Sequence, residues 1–329
     1  MNDNAFKGRL NTAMKGFRKL PNPPLGRCLW WRSECDRPVS SHSVSRAWLA
    51  RLAHEGHVIH FRADVDVAKA SANVIAESIG INIASVFPGF CAEHDSSVFR
   101  AIDSPLTDCS QRHCDLLAFR SICREAYTKY KVASFNMSQG MVEDHRTQHG
   151  EFTLDMTFCA VDLLAQKVGL EQALDKGTPE YAHYAVEFST PPCVTACATF
   201  SPQVTFDGMP LDGPLDWVTI TILPTSSGGI AVFSWDPSKK AKAIALLDSF
   251  LRIKADWTSD VLLRYIIDNA ENAFYAPAWW QGLTPDQKSQ IVNRYKMTLL
   301  SPHAQQRGLY AEHGAPLVDW RLSRHYPVK

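Results

Sequence analysis

Apolar positions recur in helical and strand-like registers that divide the chain into three stretches. Between Ser43 and about Glu55, Val44, Trp48, Leu49 and Leu52 follow three- and four-residue spacing, which predicts a helix ended by Gly56. His57 to Phe61 then reads as a short strand, and Val67 to Ile83 fits either a helix or strand pieces. From Asp108 to Lys131, Leu116, Leu117, Phe119, Ile122, Cys123, Tyr127 and Tyr130 supply the apolar side of a second helix. Met156 to Leu174 predicts a third, and the polar segment Asn136 to Gly150 between them reads as a loop. Beyond Pro179 the residues favour strands at Tyr184 to Phe188, Val194 to Phe200, Trp217 to Leu223 and Ile230 to Trp235. Gly228-Gly229 marks a hairpin turn between the last two. Helices are expected again at Lys239 to Ile253 and Thr258 to Ala273. A further one starts at Thr284-Pro285-Asp286-Gln287, where N-cap, first-turn proline and capping-box glutamine stand in order. Strands first and helices afterwards predict an α+β layer rather than a doubly wound sheet.

With 329 residues, 45% hydrophobic and 21% charged, the chain falls among folded globular proteins and outside the disordered, collagenous and membrane-embedded classes. Length favours two domains, or one large one; the two-domain reading divides the chain into residues 1–104 and 105–329. No apolar run reaches the roughly 18 residues of a membrane span, and the N-terminus lacks a secretory leader, so a cytoplasmic protein without a membrane partner is expected. Lys+Arg and Asp+Glu balance at 34 each, yet residues 1–60 hold ten of the bases against four acids. Lys7 to Lys19 has Phe6, Leu10, Met14 and Phe17 on one face of a short basic helix. Basic residues 7–51 could meet nucleic-acid phosphates; alternatively the arm docks by its apolar stripe onto its own domain. There is no phosphate-binding glycine loop, dinucleotide fingerprint or nucleophile elbow.

Nine cysteines, an odd number, do not form a disulfide framework in a long chain of intracellular type. Cys28, Cys35, His42, Cys91 and His94 instead give five candidates for the four places of a structural zinc site. Cys91-x2-His94 is the sharper half, because a loop and the first helical turn after it can aim both side chains at one ion, with Pro88-Gly89 allowing a tight approach. Cys28-x6-Cys35 is the looser half. Zinc would also fold a segment poor in aliphatic residues.

The paired cysteines, Ser41-His42-Ser43-Val44, and Phe90-Cys91-Ala92-Glu93-His94-Asp95 together resemble the zinc-containing branch of the HNH, or ββα-metal, endonucleases. They also resemble a group of bacterial proteins that share S-H-S-I/V-S and F-x-G-F-C-x-x-H-D stretches. The first resemblance covers about residues 28–100. It implies a treble-clef-like zinc module ahead of the larger antiparallel-sheet and helix domain. By it, Cys28, Cys35, Cys91 and His94 hold zinc, His42 is the general base of phosphodiester hydrolysis, and Asp95 helps bind a catalytic Mg²⁺ or Mn²⁺; Asp103, just past the resembling stretch, is a further candidate near that second metal. Ser41 departs from the acidic residue the family carries before its first histidine, and His42 could replace Cys28 as a zinc ligand. The alternative is a non-catalytic zinc-stabilised recognition or sensor protein, which the bacterial group associates with phage defence.

Other chemistry-bearing residues have plainer readings. Cys109, His113 and Cys114 are a possible second metal site but read better as helix packing, as do Cys193 and Cys197 in a strand. His54, His57 and His60, like His145 and His149, read as solvent-facing or locally bonded. Trp217 and Trp279-Trp280 could stack bases, but read as anchors of the helical layer.

Overall fold

The structure, a computed structural model, describes Thr12 and residues 25–30, 35–66, 71–104, 109–138, 148–178, 181–300 and 316–329. The expected basic helix, Thr12 apart, and His145 lie outside them. Among the described residues the elements run β1 (Ser41–His42), α1 (Arg46–Leu52), β2 (His57–Asp66), β3 (Ser71–Gly80), β4 (Val86–Phe87) and α2 (Ala92–Val98). Then follow α3 (Gln111–Ser138), α4 (Gln148–Lys176), β5 (Ala182–Phe188), β6 (Val194–Phe200), β7 (Val218–Pro224) and β8 (Gly229–Trp235). The last are α5 (Ala241–Leu251), α6 (Thr258–Asn269), β9 (Ala273–Tyr275), α7 (Pro277–Gly282), α8 (Pro285–Leu300) and β10 (Leu322–Pro327). Mixed helix and antiparallel sheet is therefore the fold class. No described helix is long and apolar enough to cross a membrane.

Two compact units divide the chain. One takes residues 1–43, 87–100 and 119–178, the other 44–86, 101–118 and 179–329, so each draws on both sides of residue 104. Helix α3 runs from the second into the first.

The second unit is built on an eight-stranded antiparallel sheet, ordered β10-β5-β8-β7-β6-β9-β2-β3. One face carries Val186, Phe188, Ile220, Ile222, Ala231 and Phe233, which pack with Leu246 and Phe250 of α5 and Leu262 and Ile266 of α6 in the main core. The other face carries hydroxyls, Thr195, Thr199, Thr219 and Ser234, all buried. The β7–β8 turn is glycine because its neighbours approach closely: a Cβ on Gly228 would meet the Phe188 carbonyl oxygen at 2.0 Å, and one on Gly229 the Pro192 side-chain ring at 2.3 Å. Trp279 and Trp280 are anchors, as read: the Trp279 indole N–H donates to the Leu317 carbonyl at 3.0 Å, and Trp280 meets the Phe61 ring edge-on. The expected capping box forms, with reciprocal bonds of 2.9 and 3.2 Å between Thr284 and Gln287.

In the first unit the segment read as a loop from Asn136 lies in part within α3, which continues to Ser138, while α4 begins at Gln148. Its polarity misled because the polar groups satisfy one another: the buried Asn136 amide donates to the Thr153 hydroxyl at 3.1 Å. Phe90, Phe99 and Phe119 form the unit's aromatic centre, with Phe90 and Phe99 rings 4.8 Å apart and Arg120 stacked 4.1 Å over Phe99.

Candidate metal centre

Four side chains from three stretches of the first unit converge. The ligand atoms of Cys28, Cys35, Cys91 and His94 all lie within 4.8 Å of one another. His94 Nδ1 is 3.6 Å from Cys28 Sγ, 3.3 Å from Cys35 Sγ and 3.2 Å from Cys91 Sγ. One imidazole nitrogen has a single lone pair and can accept one S–H, so it cannot by itself hold three sulfurs, two of which, Cys28 and Cys35, also have the Trp30 carbonyl as acceptor at 3.3 and 3.2 Å. All three sulfurs match a coordination shell: zinc bonds of about 2.3 Å to sulfur and 2.0–2.1 Å to nitrogen, in tetrahedral geometry, put sulfur about 3.6 Å from nitrogen. The donors present therefore fit a structural metal ion such as zinc.

Local structure explains the convergence. Cys91 is the N-cap of α2, extended at φ −70° and ψ 163°, and its carbonyl accepts the Asp95 N–H at 2.8 Å; His94 is then one turn on, facing the same way. Gly89 allows the approach, since a Cβ there would stand 2.4 Å from the Phe87 ring. The Gly89 carbonyl accepts the Leu29 N–H, and the Phe90 carbonyl accepts the Val39 N–H, each at 2.7 Å, tying the two cysteine-bearing segments to the loop before α2. Trp30, between Cys28 and Cys35, sets its ring edge-on against Phe119 at 5.1 Å and so roots the site in the aromatic centre.

Burial differs among the donors. Cys28 and Cys91 are 2% exposed, while Cys35 and His94 are half-buried. Without an ion, burial pushes the Cys28 thiol up to about 12, against the pull of N–H donation from Cys91 to its sulfur at 3.3 Å. Metal binding must displace that proton.

His42 does not join the cluster. It is half-buried on β1, and the four-membered group forms without it. Ser41, fully buried beside it, receives the Phe90 N–H on its hydroxyl at 3.2 Å. Asp95 is on α2, half-buried. Asp103 belongs to the second unit, where its carbonyl accepts the Ser45 hydroxyl. Among the described residues no further group of metal-ligating side chains forms, around Asp95, Asp103 or Cys109. Cys114 is instead buried and hydrogen-bonded to Cys109, both as free thiols.

Compared with protein-family models, curated proteins and solved structures, the chain matches none.

The sequence reading missed Asp115, His183 and Ser234 in the second unit. His183 Nε2 is 2.9 Å from Asp115 and its Nδ1 2.8 Å from the Ser234 hydroxyl. The residue types are those of a hydrolytic triad, but all three are at most 4% exposed, and Ser234 sits mid-strand in β8, paired on both sides with His183 and Thr219. A nucleophile needs an exposed position and neighbouring N–H donors for the oxyanion. Backbone pairing and burial remove both, so this relay fastens α3 to the sheet. Its members are 68 and 51 positions apart, and no local spacing signals it.

Proposed function

We propose that the chain is a zinc-braced recognition protein, with Cys28, Cys35, Cys91 and His94 as a closed structural site. The observation that carries this is the donor set: three sulfurs and one nitrogen within 4.8 Å of one another supply the four donors of a closed structural zinc, and among the described residues no second group of metal-ligating side chains gathers for a catalytic ion. Recognition of nucleic acid is favoured by Arg27, Arg37 and Arg100, exposed on the same unit. The bacterial likeness extends this to a sensor in phage defence.

The treble-clef and HNH reading stays as the second proposal, supported by His42 lying outside the ligand group, where an imidazole could act as base with Mg²⁺ or Mn²⁺ near Asp95. Against it stands Ser41, whose hydroxyl holds the Phe90 backbone where the family carries an acid.

Elemental analysis of protein purified under reducing conditions tests the site, with one zinc per chain expected. Cobalt substitution should give the intense d–d absorption of a tetrahedral sulfur-rich centre. Salt-sensitive binding of a nucleic-acid panel without cleavage supports recognition. Cleavage with Mg²⁺ that His42→Ala abolishes while zinc is retained would replace it with the nuclease.

A further inference from the structure

Zinc ligation and solvent access would coincide at one cysteine. Of the three sulfur donors, Cys28 and Cys91 are 2% exposed, and Cys35 alone is half-buried. Outside the centre, Cys109, Cys114, Cys123 and Cys197 are buried. Cys159 and Cys193 are half-buried, but desolvation pushes Cys159 up to about 11 and Cys193 well above the ordinary thiol value, so both stay protonated near neutral pH. Only the thiolate reacts with peroxides at useful rates, and a sulfur that ligates zinc is a thiolate.

We propose that the metal centre is a peroxide-sensitive switch in which Cys35 is oxidised first and Cys28 resolves it. The proposal rests on the zinc reading above. In the first step the Cys35 thiolate attacks hydrogen peroxide; a sulfur–oxygen bond forms, the O–O bond breaks and hydroxide leaves, giving a sulfenic acid. The Cys28 thiolate then attacks that sulfur and expels a second hydroxide, and both hydroxides take protons from solvent to become water. Two electrons pass from two sulfurs to one peroxide.

Geometry selects Cys28 over Cys91 as the partner. A disulfide needs its sulfurs at about 2.05 Å, closer than ligand spacing, so backbone must shift. The Cys28 and Cys35 thiols already share one acceptor, the Trp30 carbonyl, at 3.3 and 3.2 Å, and residues 25–30 and 35–40, held to the loop before α2 by the Leu29 and Val39 N–H bonds, carry neither helix nor strand and can supply the rest of that shift. Cys91 is fixed at the start of α2 by the Asp95 N–H bond to its carbonyl and by the Phe90 N–H bond to Ser41. Closing Cys28 to Cys35 leaves Cys91 and His94, two donors of four, and the ion is released.

The test starts with zinc content under reducing conditions and continues with hydrogen peroxide, a colorimetric zinc indicator and peptide mapping. Zinc release in step with loss of two thiols, a Cys28–Cys35 disulfide, and recovery with dithiothreitol and zinc are expected. Cys35→His keeps four donors and removes the accessible thiolate, so its release should be several-fold slower. Should that variant not fold, the disulfide map of the unaltered chain decides. A chain isolated without zinc overturns the zinc reading and the switch together. A chain that holds zinc but keeps it under peroxide, or forms a disulfide that omits Cys35, overturns the switch alone.

Discussion

At Gly89 a single methyl group decides whether the loop before α2 can close. The Phe87 ring that the methyl would strike is 4% exposed and packs edge-on against Phe90 and Tyr127, so it cannot swing away freely. Gly89→Ala should cost about 1–3 kcal/mol by overpacking, read by urea denaturation, and should weaken zinc retention in a chelator competition. Protonation at Cys28 gives opposite pH slopes with and without the ion. In metal-free protein the thiol is at about 12 when folded but near 8.5 when unfolded. That contribution to stability is complete below about pH 8.5 and is lost as pH rises toward 12. In the loaded protein, protons compete with zinc for the same sulfurs, so the stabilisation falls as pH falls. Denaturation midpoints measured across pH with and without chelator should diverge in these directions.

Hydrophobic periodicity made most elements legible, and what it missed has a common cause. Strand β6 coincides with its predicted bounds, and β5, β7, β8 and α5 agree to within about two residues, because each has a full apolar face in the core. Strand β10 has no such face; its exposed residues hold to β5 through polar pairs, with Arg324 bidentate on Glu187 at 2.7 and 2.9 Å and the Tyr326 hydroxyl on the same carboxylate at 2.6 Å. Strand β9 is three residues long and carries the join between β6 and β2, a role visible only once both are placed. The metal cluster was legible because cysteine and histidine spacing is chemical rather than periodic, whereas the Asp115–His183–Ser234 relay has no spacing to read. The segment before β10 depends on another distant carboxylate: buried Asp260 accepts the Leu317 N–H at 2.6 Å and the Arg264 Nε–H at 2.7 Å. Asp260→Ala strands the Arg264 charge in the interior and should cost about 3–5 kcal/mol, with hydrogen exchange at Leu317 speeding up. Thr284→Ala removes one half of the capping box on α8 and should cost about 1 kcal/mol.

Across the molecule, the two units draw stability from different sources. The sheet unit has its own aliphatic and aromatic core, whereas the cysteine-bearing segments are held by turns, a few backbone bonds and the donor cluster. Chelation should therefore abolish exchange protection around Leu29, Val39 and Phe90 while β6, β7 and β8 keep theirs, a contrast that residue-resolved hydrogen exchange reads directly.

The donors that meet at the cluster are also far apart along the chain: Cys28 and Cys91 are 63 positions from one another, and the stretch between them includes the β2–β3 hairpin. An ion there acts as a reversible crosslink across a long loop, and its entropic leverage depends only logarithmically on that loop's length. Even doubling the intervening chain would change closure by about 0.6 kcal/mol. By that measure the stretch between the donors is free to vary in length over evolutionary time without loosening the clasp.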